Sequence, residues 1–300
     1  MAVVGIFLAT ALGFSIGILQ LSNNWLVSRM AYVYVEFTRN TPVLLLILLW
    51  HGIIINTLPH PRQALSLSGS VFISNQGFYV PAPVSEPGFW WIALVFCASP
   101  VVAGLIYHHR RRHQKQTGKH KPYLVYGIGL CIVLTAFAFY LAGTPVTLDH
   151  LALRGFNYQD GMTLIPEFVA LTWALAFYTS GFIAENVRSG VVSVDRGQTD
   201  AGRALGLTEN RTMKLAILPQ AMRVIAPPLT SSYLDLLKNS SLAIAIGYMD
   251  LVATLGGITL TQTGREMEAM LLVMLIYLTI SLSISWGMNI YNKRQRLVER

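Results

Sequence analysis

The hydrophobic positions of this chain gather into long charge-free runs separated by short polar clusters. A helix needs about 20 residues to cross a hydrocarbon layer about 30 Å thick. Seven runs approach that length: Ala2 to Leu21, Pro42 to Leu58, Phe89 to Tyr107, Tyr123 to Ala142, Phe168 to Ala184, Val224 to Ile246 and Ala269 to Ile290. The pattern predicts an all-α polytopic membrane protein with about seven transmembrane helices. The sixth run differs from the rest because Pro227, Pro228, Asp235 and Lys238 lie inside it. Charges at that depth face a bundle or a water-filled path rather than lipid.

Composition agrees, with 53% hydrophobic residues and 12% charged, about half the charge of an average soluble domain. A net charge of +8 invites a nucleic-acid partner, but the positions of the charges argue against one. Eighteen of the 22 Lys and Arg fall on one side of an alternating topology: Arg29 and Arg39, the cluster Arg110 to Lys121, the stretch Arg188 to Arg223, and Lys293 to Arg300. Positive charge marks cytoplasmic loops, which places the C-terminus in the cytoplasm and Met1 outside. The basic cluster Arg110 to Lys121 suits an anionic membrane lipid surface, and His108, His109, His113 and His120, in and beside it, are surrounded by cations that disfavour a divalent metal. Cys97 and Cys131 sit inside apolar runs, so no disulfide framework or metal knuckle is available. Met1 opens directly onto an apolar helix with no basic flank, and an upstream helix with a cytoplasmic start would supply one.

Glu185 to Arg223 is the longest hydrophilic stretch between crossings, and it reads as two short helices joined by one glycine. Asp200, Ala201, Ala204 and Leu205 fit the first helix, and Gly206 falls where a left-handed cap is wanted. Thr208 is placed to cap the second, Glu209 favours its first turn, and Pro219 stops or redirects it. A compact knob with small residues at its apex suits a groove on a partner, although a tidy connecting loop would show the same residue types.

Several ordered stretches carry a more specific resemblance. Gly197-Gln198-Thr199-Asp200-Ala201-Gly202-Arg203-Ala204-Leu205-Gly206-Leu207, followed by Ile217-Leu218-Pro219-Gln220-Ala221-Met222-Arg223, resembles the EAA loop of ABC importer permeases, in the form found in the polar amino acid subfamily. Arg39-Asn40-Thr41-Pro42, Glu185-Asn186-Val187-Arg188 and Lys238-Asn239-Ser240-Ser241-Leu242 resemble three further motifs of the same family, in the same order. The long loop after the second run and the inserted pair of runs make the chain similar to the large permease subunits of general L-amino-acid importers, including the glutamate/glutamine/aspartate/asparagine type.

The resemblance implies a type I ABC importer permease fold in a bacterial inner membrane. It divides the chain into residues 1–58 with two helices, 59–164 with outer loops and an inserted helix pair, and 165–300 as the permease core with its coupling loop at 185–223. It also implies three kinds of partner: a separate ABC ATPase dimer, a second permease subunit, related or identical, and a periplasmic amino-acid-binding protein. Coupling to the ATPase falls on Asp200, Ala201, Gly202, Ala204, Leu205, Gly206, Leu218 and Pro219. Asp200 and Gly202 stand where the family has Glu and Ala, and Asp235 where it usually has Asn.

The chain has no phosphate-cradling G-x-x-x-x-G-K-[ST] sequence, so no ATP chemistry and no cofactor is assigned to it. Asp235 and Lys238 share a helix face and form a compensating pair, or with Asn239 and Ser240 line a transport path. A rival reading joins Gly13-Phe14-Ser15-Ile16-Gly17, a G-x-S-x-G match, with His51 as an intramembrane serine hydrolase. The same glycines also make a Gly-x-x-x-Gly packing face, and the nucleophile elbow needs a strand-to-helix turn that an apolar helix does not provide.

Overall fold

The computed structural model describes residues 1–67, 70–85, 161–259 and 264–295, together with short strands and single positions between 86 and 160. The chain forms two compact units, residues 1–58 with 165–300, and residues 59–164. Residues 1–58 thus pack with 165–300.

The first unit is helical and is built around α4 (Pro166–Val192). Pro166 occupies the first turn, where its missing N–H costs nothing, and Glu167 favours the helix N-terminus. Its apolar stretch is 61% buried, which makes it the central helix. α1 (Ala2–Gln20) lies along it through a seam of small residues, Ala9, Gly13 and Gly17, all buried. A Cβ at Gly13 would stand 2.6 Å from Ile183 Cβ, and one at Gly17 would stand 2.7 Å from the Ala184 carbonyl. Only glycine lets the two backbones approach this closely.

α2 (Trp25–Asn40) and α3 (Val43–Thr57) meet at a 108° bend. Asn24 caps α2 by accepting from the Leu26 and Val27 amides at 3.0 and 3.4 Å. α2 docks on α4 where Tyr34 Oη meets Ser180 Oγ at 2.7 Å and where the Thr38 side chain fills the space a Cβ at Gly181 would need. Because α2 mixes polar and apolar positions, no apolar run announces it. Thr41 does not cap α3: its hydroxyl donates back to the Phe37 carbonyl at 2.7 Å, and Pro42 holds the N-cap position.

After α4 come α5 (Arg196–Ala204), α6 (Glu209–Thr212), a π turn (Met213–Ile217) and α7 (Leu218–Asn239). The sixth apolar run is therefore not one helix. α7 starts earlier, and a 3-10 segment (Ser240–Ile246) follows it and ends at Gly247 with φ +74°. A π segment (Val252–Thr259) leads on to α8 (Glu266–Gln295), whose apolar stretch is only 11% buried. Among the described residues, α1, α4 and α8 are each long and apolar enough to span a membrane, and α2 with α3 qualifies as a bent pair. The runs Phe89 to Tyr107 and Tyr123 to Ala142, the basic cluster between them and its histidines lie almost entirely outside the described residues.

The second unit holds an antiparallel four-stranded sheet in the order Leu65–Leu67, Val71–Ser74, Gly77–Val80, Met162–Leu164. Its register pairs Ile73 with Leu65, Phe72 with Tyr79 and Phe78 with Leu164. Ser74 Oγ accepts from the Gln76 amide at 3.1 Å and so closes the tight turn between the middle strands. Two further antiparallel pairings, Ala82–Ser85 with the distant Val146–Asp149 and the hairpin of Ala152–Arg154 with Asn157–Gln159, complete it. These strands depart from an entirely helical expectation.

Candidate functional site

Two features of the helical unit carry the candidate chemistry. The first is a knob formed by α5 and α6. Asp195 Oδ1 accepts from the Gly197 amide at 2.6 Å and starts α5. The helix ends in a Schellman motif: the Leu207 amide donates to the Gly202 carbonyl at 3.0 Å and the Gly206 amide to the Arg203 carbonyl at 2.9 Å. Gly206 has φ +71°, the left-handed conformation that its sequence position called for.

The second half of the knob differs from the sequence expectation. Thr208 occupies the N-cap position but makes no side-chain cap bond. Glu209 instead reaches across the turn, accepting from Arg203 Nη2 at 3.0 Å. Pro219 does not stop the helix. It sits in the first turn of α7, and the π turn preceding it absorbs the backbone donor the proline lacks. The knob therefore runs without a loop into a long helix, and Gln220 Nε2 donates to Gln198 Oε1 at 3.1 Å to tie that helix to α5.

Of the residues expected to couple, Asp200, Ala201, Ala204, Leu205, Gly206, Leu218 and Pro219 are exposed, and Gly202 is buried. Gly202 faces Thr212 so closely that a Cβ there would lie 2.5 Å from both Thr212 Oγ1 and Cγ2. Leu205 is 79% exposed and Leu215 is 69% exposed, which gives the knob an apolar tip.

The second feature is a cleft of about 720 Å³ between α4 and α7. Tyr178 and Asn186 line it from α4, and Ser232, Asp235, Lys238 and Asn239 from α7. Lys238 Nζ lies 3.8 Å from Asp235 Oδ1, so the expected pair forms. It is not buried in the chain, since the side chains are 64% and 65% exposed. Asn186 Nδ2 donates to Ser232 Oγ at 3.5 Å across the cleft. Ser240 faces elsewhere. It is buried, donates to the Leu237 carbonyl at 2.7 Å, meets Tyr277 Oη at 3.3 Å, and borders a different cleft that includes Asp250.

Tyr178, Asn186 and Ser232 are cleft residues that the sequence reading passed over. Ser232, Asp235 and Asn239 recur at spacings of three and four, a helical face that the motif boundary at Lys238 concealed. Below the cleft, Arg188 grips Glu185 through both carboxylate oxygens at 3.0 and 2.6 Å, and the Arg39 guanidinium lies 5.9 Å over the Phe182 ring.

The hydrolase alternative finds no support. Ser15 sits inside α1 and donates to its own Ala11 carbonyl at 2.7 Å, while Gly13 and Gly17 serve the packing seam. His51 Nε2 lies 3.9 Å from Glu167 Oε1, beyond hydrogen-bond length, next to Trp50, whose ring meets Trp173 edge-on at 5.8 Å.

An apolar helical bundle with a helical knob and a polar cleft on the same helix fits a membrane-spanning transporter subunit. The chain belongs to the family of binding-protein-dependent transport system inner membrane components, whose profile matches residues 121–297. It is 45% identical to the putative amino-acid ABC transporter permease protein YhdX of Escherichia coli strain K12, over 98% of this chain and 75% of that one. It is 42% identical to the general L-amino acid transport system permease protein AapQ of Rhizobium johnstonii, over 100% of this chain and 74% of the relative. In three dimensions it resembles an amino acid ABC transporter crystallised with histidines, with a TM-score of 0.55 at 20% identity, over 98% of this chain and 88% of the other. The expected ABC permease fold is thereby established, and the chain is an inner-membrane component.

Proposed function

We propose that this chain is the permease subunit of an importer for L-amino acids, with its C-terminus in the cytoplasm. Its knob docks on a separate ABC ATPase dimer through Leu205, Leu215, Leu218 and the surface around Asp200, Ala201, Ala204 and Pro219, with Gly202 and Gly206 setting its shape. A second permease subunit, related or identical, completes the path, and a periplasmic binding protein delivers the substrate. ATP closure moves the knob as a rigid body, and the bundle alternates the exposure of the cleft. The two named relatives support the substrate class, and the asymmetric distribution of Lys and Arg supports the orientation.

The observation that carries the reading is the accessible Asp235 and Lys238 pair in the cleft. One carboxylate and one ammonium 3.8 Å apart match the two charged ends of a free amino acid, and Asn239, Asn186 and Ser232 add neutral donors and acceptors. Ser240 contributes from behind, by fixing the end of α7 against Tyr277. The test is the double substitution Asp235→Asn with Lys238→Gln, which leaves no unpaired charge. Loss of amino acid uptake in a subunit that still inserts and still co-purifies with its ATPase is the expected result. Normal uptake would refute the transport role of the pair.

A further inference from the structure

α2 has three distinct faces, with successive side chains about 100° apart. Ala31, Val35 and Thr38 are buried in the bundle. Arg29, Glu36 and Asn40 form a polar arc, in which Glu36 accepts from Asn40 Nδ2 at 2.8 Å. Leu26, Met30, Val33 and Phe37, spaced four, three and four apart, make an apolar stripe on neither of these faces, and all four are exposed, Met30 by 66%. An uncovered row of four large side chains needs an occupant.

We infer that the stripe lies in the acyl boundary of a phospholipid leaflet, with α2 parallel to the membrane surface and Arg29 at the level of the anionic headgroups. Three observations select lipid. The axis turns by 108° between α2 and α3, so with α3 entering the bilayer along its normal, α2 lies about 18° from the membrane plane. The stripe continues onto α3, where Leu44, Leu45, Leu48 and Leu49 are also exposed. Trp25 at the start of α2 is exposed, and the Arg29 guanidinium lies 5.5 Å over the Tyr32 ring, a pairing of cation and amphipathic aromatics suited to the headgroup zone. The polar arc then faces water, and the buried face holds the helix on α4. This placement is independent of which amino acid the cleft accepts.

Spin labels at single cysteines test it, in the assembled transporter lacking Cys97 and Cys131, reconstituted in vesicles of phosphatidylcholine and phosphatidylglycerol. The labelled positions are Met30→Cys, Val33→Cys and Phe37→Cys on the stripe, Glu36→Cys and Asn40→Cys on the polar arc, and Arg29→Cys at the boundary. Collisions with oxygen several-fold above those with a water-soluble nickel chelate at 30, 33 and 37, the reverse at 36 and 40, and comparable values at 29 are expected. Low access to both reagents at 30, 33 and 37 would show a protein occupant, the second permease or the ATPase, and would overturn the inference. High nickel access there would overturn it too, by showing a stripe in water. None of the labelled positions is buried in the bundle, with Glu36 half-exposed and the others exposed, and retained uptake in each variant certifies the fold.

Discussion

Gly202 and Thr212 sit on the two halves of the knob, ten residues apart in sequence, and their contact permits a quantitative test. A methyl group at 202 would lie 2.5 Å from Thr212 Oγ1 and Cγ2 and 3.1 Å from its Cβ. Carbon atoms rest about 3.5 to 4.0 Å apart, so Gly202→Ala is short of room by about 1 Å. Thr212 is 1% exposed and has nowhere to swing. Overpacking of this kind costs about 1 to 3 kcal/mol, against about 1 kcal/mol returned by the better helix propensity of alanine. Thr212→Ala removes the two clashing atoms and leaves a contact at 3.1 Å, which a shift of a few tenths of an ångström relieves. The lost hydroxyl is cheap, because Thr212 Oγ1 makes no hydrogen bond in the fold.

A double-mutant cycle should therefore show favourable coupling of about 1 kcal/mol or more between Gly202→Ala and Thr212→Ala, with the double variant as stable as the parent. The readout is amide exchange at Leu205, Gly206 and Leu207, whose N–H groups close the Schellman turn. One kcal/mol of local stability corresponds to about a five-fold change in exchange rate. Additive effects within about 0.3 kcal/mol would refute the packing argument.

Gly206 has φ +71° and open space around a Cβ, so its cost on substitution is purely conformational. Gly206→Val should lose about 1 kcal/mol or more of knob stability and reduce ATPase co-purification, while Gly206→Asn should lose less. At the α1 and α4 seam, Gly17→Leu should lower the thermal stability of the detergent-solubilised subunit, whereas Ser15→Ala should change neither stability nor uptake; thermal melts and transport assays decide both. Impermeant thiol reagents applied to intact cells should label Gln76→Cys but not Gln116→Cys, and the opposite pattern would reverse the proposed orientation.

Apolar length alone located α1, α4 and α8, because a lipid solvent imposes the same requirement at every position of a spanning helix. It could not locate α2, whose stability comes from Tyr34 and Thr38 docking on α4 rather than from continuous hydrophobicity. Gly206 was legible because a left-handed cap demands glycine from local backbone sterics. The Gly202 to Thr212 contact was not, since it exists only after the turn has closed. Ser240 followed Asn239 in one motif, yet the next step of the helix carries it about 100° round, toward Tyr277 and away from Asp235. The strands at Val71–Ser74 and Gly77–Val80 are too short for a period-two signal to rise above a segment rich in proline and glycine.

The proline pair in α7 gives the helix unequal stiffness along its length. Pro227 and Pro228 have no N–H to offer the carbonyls of Arg223 and Val224, so two consecutive rungs of the hydrogen-bond ladder are missing. Below them, about 14 Å of helix joins the knob without an intervening loop, and above them about 10 Å leads to Asp235. Under the proposed coupling, a push delivered at the knob arrives at the joint as the displacement of a lever, and the joint lies on the wall of the cleft itself, where both prolines contribute to the lining. Bending at those two residues changes the angle at which Asp235 and Lys238 are presented while the lower arm keeps its shape.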